Sequence, residues 1–152
     1  MKTAKKVFFW VLVGFALIQF IPVDKVNKPV DQKLNFVTTE NTPAEVAVLI
    51  KNACYDCHSD ETVYPKYAQI APISWSIKSH VNDGRRHLNF SVWKSYNADL
   101  KKSMLQKSVQ TIQNKTMPLP GYSVYHAEAN LTAAQQKILT NYFESVLKAG
   151  KF

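Results

Sequence analysis

The chain has 152 residues, 46% of them hydrophobic, and a formal net charge of +8. A chain of that size forms one domain, and its ordinary apolar and aromatic content excludes a disordered tail while supplying material for one core. The positive balance comes with no nucleic-acid recognition motif, and the export signal at the N-terminus argues against nucleic acid as a partner.

Lys2, Lys5 and Lys6 precede an apolar run from Val7 to Val23 in which only Gln19 is polar, the pattern of an export signal or a membrane anchor. The run is at the short limit for crossing a bilayer, since a helix rises ~1.5 Å per residue against a hydrocarbon core of ~30 Å. Its far end, Ile18 to Asp24, has neither the paired small residues of a signal-peptidase site nor a lipobox cysteine. An uncleaved anchor is therefore expected rather than a cleaved periplasmic form. The leading lysines keep the N-terminus in the cytoplasm and send the rest to the periplasmic side of a bacterial inner membrane. Residues 1–23 are read as a signal anchor or transmembrane helix, 24–41 as a juxtamembrane spacer, and 42–152 as the folded domain.

Thr42-Pro43-Ala44-Glu45 reads as a capping box with proline at the first helical position, and Val46, Leu49, Ile50 and Ala53 follow at helical spacing. That helix runs into Cys54-Tyr55-Asp56-Cys57-His58, which holds the only two cysteines of the chain in the C-x-x-C-H pattern of covalent c-type haem attachment. Two thiols so spaced each form a thioether to one haem vinyl group, and the histidine after them is the proximal iron ligand. A thioredoxin-like site needs a βαβ setting that the sequence lacks. A zinc site would have to recruit the scattered His80, His87 or His126, and a disulfide would leave His58 unexplained.

Further along, Pro72 to Asn82 forms a short helix with Ile73, Ile77 and Val81 on one face, ended by Gly84. Asn97 to Asn114 is a second, with Leu100, Met104, Leu105, Val109 and Ile112 on a broad apolar stripe. A proline-braced loop, Lys115 to Tyr122, leads to a final helix. It opens on a capping box at Thr132 and Gln135, carries Ile138, Leu139, Tyr142, Phe143 and Val146, and stops at Gly150.

A helix ending in C-x-x-C-H together with a last helix bearing the aromatic pair Tyr142 and Phe143 resembles the class I cytochrome c plan, in which those two helices cross. The motif with its following Ser59, Tyr64-Pro65, and the string His80 to Trp93 resembles the bacterial haem-binding domain family over roughly Ala44 to Leu147. The resemblance implies c-type haem within a cytochrome c-like, all-α fold, and names a cofactor but no reaction. For the sixth iron position the soft or imidazole donors are Met104, Met117, His80, His87 and His126. Met104 is accounted for by its apolar stripe. Met117 is favoured because it stands in the loop where the cytochrome c plan places its methionine, and Pro118 restricts its backbone. His80 and His87 are the alternatives, with Gly84 expected to break the helix between them.

From Tyr64 through Met117 there are nine Lys or Arg against Asp83 and Asp99, a field suited to an acidic redox partner or an anionic membrane surface. Arg85 and Arg86 are candidates to neutralise the haem propionates. The expectation is a membrane-anchored monohaem c-type cytochrome, a carrier of electrons and not an enzyme, because two strong axial ligands leave no open position. The rivals are a haem enzyme or gas sensor with an open distal site, where His80, His87 or Tyr122 acts on a bound ligand, and a haem-bearing accessory subunit of a larger membrane complex.

Overall fold

The computed structural model describes residues 2–150; Met1, Lys151 and Phe152, the outer ends of the segments drawn above, lie outside them. Among the described residues every regular element is helical, in agreement with an all-α fold. The α-helices are α1 (Lys2–Ile18), α2 (Phe36–Thr39), α3 (Ala44–Ile50), α4 (Asp56–His58), α5 (Ile73–His87), α6 (Ala98–Gln113), α7 (Pro120–Ser123) and α8 (Ala133–Ala149). A π-helical turn, Lys51–Tyr55, joins α3 to α4, so the helical path from Ala44 reaches the cysteines and His58 without a break.

Where the caps are local, the helices end as the sequence implies. Asn97 caps α6 by accepting the Leu100 N–H, and Thr132 and Gln135 form a reciprocal capping box on α8. Gly150 closes α8 with a left-handed φ of 58°, which glycine adopts without a Cβ penalty. Thr42 departs from expectation. Its hydroxyl makes no cap for α3 but pairs with the Tyr142 hydroxyl at 2.8 Å, fastening the start of α3 to α8. α3 packs on α8, and α6 packs along α8.

The core is built on aromatic rings. Phe36 is fully buried and meets Phe90, Trp93, Tyr142 and Phe143 edge to face at centroid distances from 5.0 to 6.3 Å. The stretch 24–41 is therefore not simply a spacer, since its one phenylalanine completes the core. Asn35, also buried, holds it there by accepting both the Val37 N–H and the Tyr55 hydroxyl. On α6, Leu105, Val109 and Ile112 are buried as the stripe implies, but Leu100 is exposed and the neighbouring Lys101 is buried over the Trp93 ring at 5.6 Å. A cation lying on an indole face competes well with an aliphatic side chain for that position.

α5 corrects the expected stop at Gly84, because the helix continues through it to His87. α1 carries no buried side chain, and among the described residues no helix is long and apolar enough to cross a membrane. Its end is tied to the domain. The Gln19 amide donates to the Ala71 carbonyl and accepts the Ala71 N–H, both at 3.0 Å, and the Trp75 indole N–H donates to the Ile21 carbonyl at 3.1 Å.

Candidate functional site

Cys54 sits on the π turn, while Cys57 and His58 lie on α4, which packs against α5. The approach of α5 is governed by Gly84. A Cβ at this position would stand 2.3 Å from the Cys57 carbonyl oxygen and 3.1 Å from the Cys57 Cβ, so only glycine lets the two backbones come this close. Residues just past α5 then reach His58, whose Nδ1 pairs with the Leu88 carbonyl oxygen at 3.1 Å. A carbonyl can only accept, so Nδ1 carries the proton and Nε2 is left with a free lone pair. Burial drives the His58 pKa below its ordinary value, against the opposing pull of the Leu88 and Gly84 backbone, and favours that neutral form.

The segment after His58 is held by buried polar groups. Arg85 on α5 donates from Nε to the Ser59 carbonyl at 2.7 Å, from its guanidinium to Asn27 and Thr62, and lies 3.4 Å from the Asp60 carboxylate. Asp60 in turn takes hydrogen bonds from the Asn89 amide at its carboxylate and gives its backbone N–H to Ser91. Arg85 is thus committed to partners of this chain, while Arg86 stands on the surface beside Asp83.

A cavity of about 640 Å³ opens beside the motif and gathers most of the sequence candidates. Cys54, Cys57 and His58 line it, with His80 and His87 from α5, Met104 and Lys107 from α6, Met117 from the loop before α7, and Phe143 from α8. The two histidines share this cavity because α5 runs unbroken through Gly84. Met104, explained from the sequence as core, lies on the cavity wall as well as against the core cluster. His126 is elsewhere; it stacks on Tyr122 at 4.1 Å and pairs with Tyr67 and Glu128. Tyr122 does line the cavity, and its hydroxyl donates to Asp56, between the two cysteines, at 2.7 Å. Burial and then that bond raise its pKa.

Burial and the neighbouring Cys57 push the Cys54 thiol up to about 12, and burial with Asp56 pushes Cys57 up to about 11. Both thiols therefore stay protonated near neutrality. Among the described residues no group of three or more His, Cys, Asp or Glu is assembled to hold a metal ion. The donor set suits a haem instead. A neutral imidazole with Nε2 free, two thiols beside it, and a thioether and further imidazoles on one cavity are the groups haem uses, and the volume lies in the range of cofactor sites. Gly84 and the Leu88 carbonyl escaped sequence reasoning. A glycine inside an otherwise helical pattern was the available signal, since such a residue usually has a packing reason.

Searches of the curated proteins and of the solved structures return no match. The family model of the haem-binding domain matches residues 13–145, a span holding the cavity, the motif and every donor on it. The chain belongs to the haem-binding domain family.

Proposed function

We propose that this haem-binding protein is a monohaem c-type cytochrome, anchored at the outer face of a bacterial inner membrane by its N-terminal segment, that carries electrons. The observation that carries the proposal is His58: its Nδ1–H is held by the Leu88 carbonyl, which orients a neutral ring and leaves Nε2 as the proximal ligand. Cys54 and Cys57, on the same cavity, are the thioether positions, and Met117 is the distal ligand. Haem so held supplies one-electron exchange at iron. The protein's part is to orient the imidazole, to keep water from the buried face lined by Leu88, Phe90 and Phe143, and to keep the motif docked through Gly84. The uncovered apolar side chains of α1 support the anchor, and the exposed Lys107 on the cavity supports an acidic redox partner.

One observation favours a second reading, a haem enzyme or gas sensor. Met117 is 36% exposed, while α5 presents His80 and His87 along the same cavity. The deciding experiment is the optical spectrum of protein matured with haem-attachment machinery, oxidised and reduced, with carbon monoxide added to the reduced form. A low-spin c-type spectrum indifferent to the gas is expected; a high-spin spectrum that shifts with it selects the sensor or enzyme. Met117→Ala is expected to open the iron to carbon monoxide, and an unchanged low-spin spectrum would move the distal role to His80 or His87. Haem that stays attached through denaturation in the Cys54→Ala/Cys57→Ala variant would refute thioether attachment.

A further inference from the structure

A second cavity, of about 440 Å³, lies beyond the haem cavity and shares Asp56, Cys57, His80, Leu119 and Tyr122 with it. Its own walls are Ile73, Ile77 and Val81 from α5 facing Tyr64, Tyr67 and Tyr125. The one carboxylate in the lining, Asp56, is occupied: one oxygen accepts the Tyr122 hydroxyl at 2.7 Å and the other the Val63 N–H at 2.8 Å. A charged guest would have to compete with those two bonds for Asp56 or rely on His80 at the shared wall, and the rest of the lining is apolar or tyrosine, so burying charge there would be costly. Aromatic side chains on several sides favour a flat ring, which stacks or meets them edge to face. Tyr64 contributes its ring to these walls; its hydroxyl is buried away from the open space.

The surroundings of the mouth indicate where such a guest comes from. Val63, Tyr67, Ile73 and Tyr125 are exposed. Ile73 lies between Ala71 and Trp75, the two residues that tie down the end of α1, whose apolar side chains are also uncovered. Exposed apolar side chains of the lining thus stand beside the residues that receive the end of α1. We propose that this second cavity is a binding site for a neutral, flat, ring-bearing molecule drawn from the lipid phase, the chemical class of the isoprenoid quinones. The proposal rests on the haem assignment only for what lies across the shared wall.

The test is equilibrium dialysis of the haem-loaded full chain in detergent micelles against a labelled short-chain benzoquinone, with protein-free micelles as the blank. Saturable binding is expected, and Ile77→Trp, which fills the cavity, should abolish it. Absence of saturable binding overturns the proposal, as does binding undiminished in Ile77→Trp. Displacement by dodecanoate as readily as by unlabelled quinone also overturns it, since the guest would then be an acyl chain. Covalent haem is measured on the same samples. Loss of haem in Ile77→Trp would make the cavity part of the haem's own seat and overturn the proposal, whereas lack of covalent haem in the unmodified chain is a failure of the haem assignment alone.

Discussion

A methyl group at position 84 would have to occupy space already filled by the Cys57 carbonyl, so Gly84→Ala must separate α5 from the C-x-x-C-H segment. Alanine's better helix propensity returns about 1 kcal/mol, while overpacking against rigid backbone costs about 1–3 kcal/mol. The clash wins because the obstructing atom is main chain and cannot rotate away. Lower thermal stability and a reduced ratio of haem to protein are expected, measured by melting and by haem absorbance per chain. His58 makes a pH-dependent contribution. Burial holds its folded pKa below the 6.5 of an unperturbed histidine, so between the two values the unfolded chain binds more protons. Its contribution is whole above pH 6.5 and is lost as pH falls through the folded value. Melting of the haem-free chain should therefore drop on acidification below pH 6.5, less steeply in His58→Gln. Cys54, Cys57 and His58 form one local string that the sequence displays directly, and the fold brings all three onto one cavity. Gly84, Arg85 and Leu88 were not, because each acts on a segment distant in the chain.

At the scale of elements, the hydroxyl pair of Thr42 and Tyr142 joins the start of α3 to α8. Thr42→Val and Tyr142→Phe are each expected to cost about 1 kcal/mol, and the double variant little more than either, because both remove the same bond. Additive losses in chemical denaturation would show that the two hydroxyls act separately. The same pair explains a misreading: a threonine before Pro-x-Glu looks like a cap, but a buried tyrosine hydroxyl competes for it. α6 and α8 were legible almost to the residue because Asn97, Thr132, Gln135 and Gly150 satisfy their own helix ends locally. α5 was drawn too short because glycine's low helix propensity was weighed without the packing that favours it here.

For the molecule as a whole, the domain begins earlier than composition suggests. Phe36→Ala is expected to cost about 3–5 kcal/mol, the usual penalty for emptying a buried aromatic site. A chain starting at residue 26 should retain cooperative unfolding, while one starting at residue 42 should lose it; calorimetry distinguishes the two. The polar character of 24–41 concealed this, since its one aromatic residue is buried by segments distant in the chain, which no local pattern records. Arg85 shows the same integration, binding Asn27 before the motif, Ser59 and Thr62 after it, and Asp60 from a helix that lies beyond them all.

The paired hydrogen bonds of Gln19 with Ala71, and of Trp75 with Ile21, set a direction as well as a contact. Gln19 and Ile21 follow α1 directly, so the chain leaving that helix is held at two points and not one. With its N-terminal segment in a bilayer, the domain would not roam at the end of a leash but keep one side toward the membrane plane. A partner diffusing along the membrane surface would then meet the haem cavity at a constant height and heading, turning a search over all orientations into one over nearly a single approach.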